Sequence, residues 1–452
     1  MLNYIWLALI VLAMVLGACG GTLDAVTKGA FTAAEDAVMK IALPLVGVMA
    51  IWLGMMRLAE KAGLIQRLAR VLRPVMTRLF PDVPAEHPAM GAMVLNMGAN
   101  ILGLSNAATP LGLKAMSHLE SLNRLPGTAS NAMCTFLTIN TSSIQLLPVT
   151  AITVLAVNHG THPTAIVSSA LLATMIATGV GIVAVKLLEK LPAYRLSAAP
   201  PVDVPNTVEQ TENEKPEELP RMNGWWTAAI YGLLGITAAL FLITLLPGFF
   251  GQWPFLVKAL PGILGQKPPV TAEPFFLRFL NTLSLFAVPF MLAILPLYAA
   301  ARGVKVYEEF VEGAKDGFQT ALRIIPYLVG MLVAIKMFRD AGGVQMITDA
   351  LKPVLGRIQY PPELLPLALM RSLSGSGSLA VFTDLVKEFG PDSLIALTAA
   401  TIYGSSETTF YVIAVYFGSV NVHRTRHAIP AGLIADAAGV FASVFICRAM
   451  FA

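Results

Sequence analysis

The chain has 452 residues, of which 56% are hydrophobic and 13% are charged, and its mean hydropathy is +0.69. These values lie outside the usual range of soluble proteins, because a soluble domain could not bury so much apolar surface. The net charge of +4 is small and the basic residues are scattered over loops, which excludes nucleic acid as a partner. The composition therefore predicts an all-α, polytopic helical bundle whose main partner is membrane lipid.

The N-terminal apolar run ends in Leu16-Gly17-Ala18-Cys19, which imitates a lipoprotein cleavage site. A signal peptide normally begins with basic residues, and the stretch from Met1 to Ala18 contains none. We therefore expect the first transmembrane helix here, with lipidation at Cys19 as the alternative.

Apolar runs of about 18 to 25 residues mark the expected membrane spans, since a helix needs roughly 20 residues to cross the hydrocarbon. Two further regions, 88 to 115 and 363 to 385, are apolar but interrupted by Gly, Ser, Asn and Pro. The uninterrupted runs lie near residues 2 to 20, 39 to 57, 131 to 157, 164 to 187, 225 to 247, 277 to 300, 321 to 338, 393 to 418 and 428 to 450.

Amphipathic segments lie between the spans. Residues 58 to 80 combine an apolar stripe with an arginine-rich face, which is typical of a helix on the membrane surface. Residues 302 to 320 and 340 to 358 look similar.

Residues 191 to 223 hold six prolines and six acidic side chains but only three basic ones, so this linker cannot bury a core and is expected to be disordered. The linker divides the chain into separate regions. They are a membrane half at 1–190, the linker at 191–223, a connecting helix and loop at 224–276 and a second membrane half at 277–452.

A sequence repeat relates the two halves. Ala62-Gly63, Gln66 and Leu72-Arg73-Pro74-Val75 recur 279 positions later as Ala341-Gly342, Gln345 and Leu351-Lys352-Pro353-Val354.

Loop charges predict the orientation of these halves, because cytoplasmic loops carry an excess of Lys and Arg. If the N-terminus is cytoplasmic and both interrupted regions re-enter on the side they left, the inner segments hold 19 of the 31 basic residues. This arrangement turns the second half upside down, and it predicts an inverted-topology repeat in a bacterial inner membrane. Parallel halves are the alternative, and they require both interrupted regions to span the membrane fully.

The interrupted regions are the first candidates for a solute site, because broken helices are tolerated in hydrocarbon only where protein or a water-filled cavity surrounds them. Half-helix ends that meet at mid-membrane offer amide donors and carbonyl acceptors to a polar solute. Tight helix packing through small residues is the alternative explanation. The candidate residues are Asn96, Asn100, Ser105, Asn106 and Thr109 in the first region and Arg371, Ser374, Ser376 and Ser378 in the second. The breaks are expected at Gly98, Gly103, Pro110, Gly375 and Gly377.

Two further polar stretches interrupt apolar spans. Their hydroxyls could simply bond to their own helix carbonyls, but an intramembrane carboxylate is costly unless it is paired or hydrated. Arg371 is the expected counter-ion of Glu407, with Asp384 and Asp436 as competing partners, and both a structural ion pair and a solute or proton site fit this pair. The stretches add Asn140, Ser142, Ser405, Ser406, Glu407 and Thr408 to the candidate site.

The sequence contains no motif that is typical of a catalytic or cofactor-binding site. No histidine lies within a span beside the serines, and the serine-rich run at 374–378 lacks the strand-to-helix context of a nucleophile elbow. The motifs CxxC, HExxH and GxxxxGK[ST] do not occur, and His159 and His162 fit a polar turn better than a metal site. We therefore expect no enzymatic activity, no cofactor and no bound metal.

At these residues the chain resembles the spore maturation protein A and B family. Gly98 to Met116, GANILGLSNAATPLGLKAM, and Asn131 to Leu147, NAMCTFLTINTSSIQLL, look like protein A. Val306 to Leu332, VYEEFVEGAKDGFQTALRIIPYLVGML, together with RSLSGSGS and GSSETTFYVIAVYFGSV, look like protein B. The resemblance implies a fusion in which each half carries a nucleoside recognition, or Gate, domain. It also implies kinship with the Gate domains of concentrative nucleoside transporters and the bacterial ferrous-iron transport protein, without naming a substrate.

Together these features predict a secondary transporter or channel for a small polar solute, nucleoside-like or ionic, that binds between the two halves. The alternative is a non-transporting scaffold of the envelope or spore membrane, in which the polar residues only fasten helices or hold a partner. A homo-oligomer is compatible with either function.

Overall fold

The computed structural model describes residues 2–103, 105–195, 224–259, 274–343, 345–346, 350 and 360–451. Across these ranges the chain is all-α and has no β-strand, which confirms the predicted helical bundle. Most of the predicted linker at 191–223, and most of the amphipathic segment predicted at 340–358, lies outside the described residues.

The second helix of the first half is longer than the sequence predicts. A π-helical turn at Ala37–Ala42 joins α2 (Leu23–Asp36) to α3 (Leu43–Lys61) without a break, so the helix extends well beyond the span expected at 39 to 57. Gly63, with a φ of 75°, then separates α3 from the amphipathic α4 (Leu64–Leu79). The helices are α1 (Leu2–Gly20), α2 (Leu23–Asp36), α3 (Leu43–Lys61), α4 (Leu64–Leu79), α5 (Pro88–Ile101), α6 (Ser105–Ser121), α7 (Asn131–Ser142), α8 (Val149–Val157) and α9 (Ile166–Leu188).

The second half contains one long helix where the sequence predicts two separate elements. The surface segment expected at 302 to 320 and the span expected at 321 to 338 form one helix, Val306–Asp340, with no break between them. The helices are α10 (Gly224–Leu245), α11 (Pro247–Phe250), α12 (Pro254–Ala259), α13 (Phe275–Ala301), α14 (Val306–Asp340), α15 (Leu365–Leu373), α16 (Gly375–Phe389), α17 (Leu394–Gly404), α18 (Thr409–Ser419) and α19 (Ala428–Phe451).

Several of these helices suit a lipid bilayer. Within the described residues, four are long and apolar enough to cross a membrane. They are Pro163–Leu188, Gly224–Leu245, Phe275–Ala301 and Ala428–Phe451.

The long helices that the repeat makes equivalent pack against each other in opposite directions. Arg57, near the end of α3, pairs with Glu309, near the start of α14, at 2.8 Å between Nε and Oε2. Gly29, in α2, faces Lys336 near the end of α14. Because residue numbers rise along one helix as they fall along the other, the α2–α3 helix and α14 are antiparallel.

Glycine allows these two helices to approach closely. A Cβ atom at Gly313 would lie 2.6 Å from the Leu53 carbonyl oxygen, and one at Gly317 would lie 2.7 Å from the Ala50 Cα atom. Both distances are shorter than real Cβ contacts. The pair therefore uses the small-residue packing that brings membrane helices together when no hydrophobic driving force acts between them.

A second pair of equivalent helices shows the same geometry. In the crossing of α9 with α19, Gly181 lies against Ala435 and Ala177 lies against Gly439. These contacts again run antiparallel. The two halves are therefore related by a pseudo-two-fold axis that is perpendicular to the helix axes. This is the geometry of an inverted-topology repeat.

Hydrogen bonds between connecting segments join the two halves at both ends of the helical bundle. At one end, Arg426 Nε donates to the Tyr194 carbonyl at 3.0 Å, which joins the loop after α18 to the chain after α9. At the other end, the Thr161 N–H donates to Asp392 Oδ1 at 2.9 Å, which joins the chain after α8 to the loop before α17. Both segments of the first contact belong to the predicted inner group, and neither segment of the second does.

We predict that cysteines at His162 and His423 label from opposite membrane faces. Cys19, Cys134 and Cys447 are first replaced by alanine. A membrane-impermeant maleimide added to spheroplasts should then label the His162→Cys variant, and it should label His423→Cys only after permeabilisation, because the basic loop at 419–427 is expected to be cytoplasmic.

A cysteine in the 191–223 linker should behave like His423→Cys and serves as the control. These two histidines follow equivalent helices, so parallel halves would place them on one face. Labelling of both from the same side would contradict the inverted repeat.

Candidate solute site

The first interrupted region is a re-entrant helical hairpin. The chain turns at Gly103, whose φ of 76° is readily adopted only by glycine. The helices on either side of the turn then lie side by side, because Asn96 Nδ2 donates to the Ala108 carbonyl at 2.7 Å. The His87 and His118 rings at the open end of the hairpin are 6.4 Å apart. The region therefore returns to the side it left, as the inverted arrangement of the halves requires.

The second interrupted region breaks at Ser374. This residue is extended, with φ −153° and ψ 121°, and its Oγ accepts a hydrogen bond from the Gly377 N–H at 3.0 Å. Ser374 thus ends α15 and caps the N-terminus of α16. Both interrupted regions are discontinuous helices, which confirms the prediction.

Four of the five expected break positions are wrong. Gly98 and Pro110 lie inside α5 and α6, and Gly375 and Gly377 lie in the first turn of α16. Gly98 serves helix packing instead, since a Cβ atom there would lie 3.4 Å from the Ile65 carbonyl oxygen of α4. Composition alone cannot separate a glycine that breaks a helix from one that lets another helix approach.

The spans expected at 131 to 157 and 393 to 418 are also broken, although each was predicted as a single span. Ser143, with a φ of 25°, ends α7, and helix resumes as α8 only after Pro148. In the second half, the break between α17 and α18 covers Ser405 to Thr408. Four helix breaks therefore meet inside the bundle, two from each half.

Arg371, at the end of α15, is the centre of what we call the charged subsite, which also contains Tyr403, Glu407 and Thr408. Its side chain is only 4% exposed, and its guanidinium lies over the Tyr403 ring, 4.8 Å from the ring centre. Nη1 donates to Thr408 Oγ1 at 3.4 Å, and Nη2 lies 3.9 Å from Glu407 Oε2. The predicted pairing of Arg371 with Glu407 is therefore present, but it is loose.

Asp384 and Asp436 have other partners. Asp384 Oδ2 pairs with Arg339 Nη2 at 2.5 Å. Asp436 Oδ2 accepts hydrogen bonds from Ser372 Oγ at 2.7 Å and Thr409 Oγ1 at 2.6 Å.

The amide subsite is formed by Asn96, Asn100 and Asn140 of the first half and Tyr416 of the second half. Asn100 Nδ2 donates to Asn140 Oδ1 at 2.8 Å. The Tyr416 hydroxyl lies 3.4 Å from both Asn140 Oδ1 and Asn96 Nδ2. This subsite is uncharged and its members are largely satisfied by one another.

The two subsites occupy equivalent places in the two halves. Leu102 and Ser105 align with Leu373 and Ser376, 271 positions later, which makes Asn100 the counterpart of Arg371. The serine N-caps of α7 and α17 lie 263 positions apart, and the same offset makes Asn140 the counterpart of Tyr403. The pair Asn100 and Asn140 in one half thus corresponds to the pair Arg371 and Tyr403 in the other.

Each subsite lines a cavity, and a single hydrogen bond lies where the two cavities meet. The cavity at the charged subsite has a volume of 190 Å³ and the one at the amide subsite 290 Å³. Gln145 Nε2 donates to Glu407 Oε1 at 3.1 Å, and both residues, with Gly103, line both cavities. We call the Gln145–Glu407 pair the partition.

The candidate residues fall into three groups. Asn96, Asn100, Thr109, Asn140, Arg371, Glu407 and Thr408 form the subsites or line their cavities. Several hydroxyls bond to nearby backbone carbonyls instead, and they belong to Ser142, Ser378 and Ser405. Ser374 and Ser376 lie at the start of α16, Ser406 is buried, and the side chains of Ser105 and Asn106 lie outside the described part of the chain.

The candidate set drawn from the sequence omits three residues of the site. Gln145 lies in one of the two polar stretches that interrupt apolar spans, so its position in the sequence could have indicated it. Tyr403 and Tyr416 carry no such signal, because a tyrosine in an apolar helix looks like an ordinary packing residue.

Comparison with known proteins places this arrangement in a family. The family model described as nucleoside recognition, or Gate, matches residues 42–158 and 321–422, and all four helix breaks lie inside these ranges. Spore maturation protein B of Bacillus subtilis (strain 168) is 46% identical over 175 residues, which are 39% of this chain and 98% of that protein. Spore maturation protein A of the same organism is 45% identical over 181 residues, which are 40% of this chain and 91% of that protein. No solved structure matches the chain.

We predict that the Glu407→Gln variant is nearly as stable as the wild type. The ion pair is long and the Glu407 side chain is 43% exposed, so its loss should lower the free energy of unfolding by no more than about 1 kcal/mol. The measurement is the melting temperature of the purified protein. Glu86→Gln, in a pair with Arg73 on the surface, provides the baseline. A loss of several kcal/mol would instead identify a tight structural ion pair.

Proposed function

Because the chain is a membrane protein of the nucleoside recognition (Gate) family and is similar to both spore maturation proteins A and B, as a fusion of the two would be, we propose that it moves a small polar solute across the bacterial inner membrane. The protein would cross this membrane several times and act as a secondary transporter or a channel.

The main support for this proposal is the partition, the Gln145–Glu407 hydrogen bond where the two cavities meet. Two polar cavities approach each other at the level of four helix breaks, and the hydrogen-bonded side chains of Gln145 and Glu407 line both of them. A side-chain hydrogen bond between neutral and charged groups can open and re-form with water at little cost. Movement of these two side chains would therefore join the cavities into one path.

The symmetry of the fold supports alternating exposure of such a path. In inverted repeats the solute site lies at the interface between the halves, and one half rocks against the other around that site. Here the partition joins the halves directly, since Gln145 belongs to the first and Glu407 to the second. A small rotation about the pseudo-two-fold axis would open one cavity as it closes the other.

A non-transporting scaffold is the second candidate, and the hydrogen bonds of the serines favour it. The hydroxyls of Ser142, Ser378 and Ser405 bond to nearby backbone carbonyls, which fastens helix ends without involving a solute. Neither candidate function is enzymatic. Within the described residues no group of three His, Cys, Asp or Glu side chains is placed to hold a metal ion.

We predict that water reaches the partition. In the Gln145→Cys variant, a small, negatively charged thiosulfonate reagent should modify the new cysteine, because a wet cavity admits ions. Cys134 is the internal control, since it lies in the preceding helix and is fully buried. Equal protection of both cysteines would favour the dry scaffold.

We further predict that purified protein in proteoliposomes takes up at least one solute from a panel of nucleosides, nucleobases, amino acids and small carboxylates. Gln145→Leu removes the polar partner of Glu407 and should reduce uptake about tenfold, the effect expected when a hydrogen bond to a charged group worth about 1.5 kcal/mol is lost. Gln252→Leu changes an exposed glutamine that lines neither cavity and should leave uptake unchanged. Absence of uptake for the whole panel would contradict the transport proposal.

A further inference from the structure

We propose that the cavity at the charged subsite binds a small organic carboxylate, with Arg371 as the anion-binding residue and Glu407 as a resident counter-ion that the ligand displaces. This inference rests on the proposed function only in taking that cavity as the solute site. It concerns the chemical class of the ligand.

The guanidinium of Arg371 has more N–H donors than it has acceptors around it. An arginine side chain carries five N–H groups and no acceptor. Arg371 uses them for one long hydrogen bond to Thr408 and one loose contact with Glu407. Its Nε atom is buried and has no hydrogen-bond partner among the described residues. Such a group is costly to bury unless a further acceptor joins it.

A planar anion is the acceptor that fits this arrangement. The Tyr403 ring lies on one side of the guanidinium, 4.8 Å from Arg371 Cζ to the ring centre, and the N–H donors of a guanidinium lie in its own plane. Arginine holds a carboxylate through two parallel N–H···O bonds in that plane. A neutral amide would offer only one acceptor atom and could not replace the charge of Glu407.

A second positive feature lies at the same cavity. The 15-residue helix α16 begins at Gly375, which lines the cavity together with Arg371. The N-terminus of a helix carries partial positive charge and unpaired N–H groups, and it therefore favours an anion. The helix end and the unpartnered guanidinium nitrogen are independent observations that indicate the same ligand charge.

The cavity size limits the ligand. A volume of 190 Å³ lies below the roughly 300 to 1,000 Å³ of pockets that hold drug-sized ligands. The cavity by itself therefore favours a small ligand, such as a monocarboxylate, over a larger one that would also need the neighbouring cavity.

Glu407 explains how the site is neutralised without a ligand. Its carboxylate lines both cavities, 3.9 Å from Arg371 Nη2 and hydrogen-bonded to Gln145. An incoming carboxylate would take its place at Arg371, while Glu407 turns toward the amide subsite. The counterpart of Arg371 there is the neutral Asn100, so the anion would be held less tightly on that side of the partition.

The test measures binding of matched acids and amides to the purified full-length chain. Acetate and acetamide, and benzoate and benzamide, are compared by thermal shift and calorimetry at constant ionic strength with chloride. We expect saturable stabilisation by the carboxylates and none by the amides, since ligand binding to the folded state raises its stability by mass action. Equal effects of acid and amide would overturn the inference.

Variants assign the effect to the two side chains. Glu407→Gln should bind the carboxylates about tenfold more tightly, because the competing anion is gone. Arg371→Gln should lose binding, and Arg371→Lys, which keeps the charge and so guards against misfolding, should bind weakly because it lacks the bidentate geometry. Unchanged binding by Arg371→Gln, or weaker binding by Glu407→Gln, would contradict the assignment.

Uptake in proteoliposomes separates this inference from the transport proposal. Carboxylate binding without uptake of any solute would contradict transport alone. Uptake of a neutral solute that is unchanged in Arg371→Gln would contradict the carboxylate inference alone.

Discussion

Inside hydrocarbon, every backbone N–H and carbonyl group needs a partner within the protein or in enclosed water. This requirement determines how the helix breaks of the protein are arranged. Four helix breaks expose such groups, and neighbouring breaks satisfy one another. The Glu407 N–H donates to the Thr141 carbonyl of the other half at 2.6 Å, and the Leu146 N–H donates to the Ile101 carbonyl at 2.9 Å. The breaks are therefore stable only together, which concentrates the polar groups of the membrane region in one place.

The antiparallel helix pairs determine where that place is. Close packing through glycine fixes the α2–α3 helix against α14, and a glycine against an alanine fixes α9 against α19. Each pair lies across the pseudo-two-fold axis, so the broken segments that follow in each half arrive at the axis from opposite sides. The partition between Gln145 and Glu407 joins the halves where these segments meet.

The backbones of the two halves are symmetric, but the side chains at equivalent positions differ. Equivalent positions carry Asn100 and Asn140 in one half and Arg371 and Tyr403 in the other. A symmetric fold supplies two cavities, and the side chains make them chemically different, because Arg371 lines one, the neutral Asn100 lines the other and Glu407 lines both. The two sides of the site therefore offer different contacts to a ligand.

Apolar runs, helix breakers and intramembrane charges in the sequence establish the membrane class, the helical content, the repeat and the interrupted regions, because each of them carries a strong local energetic cost. They also predict the helix break at Gly103 and the contact between Arg371 and Glu407, and the structure contains both. The sequence could not separate glycines that break a helix from glycines that let another helix approach, and it did not indicate Tyr403. Those points follow only from the packed structure, because the role of a small or aromatic residue in an apolar helix depends on which other helix lies against it, and that contact is set by residues hundreds of positions away.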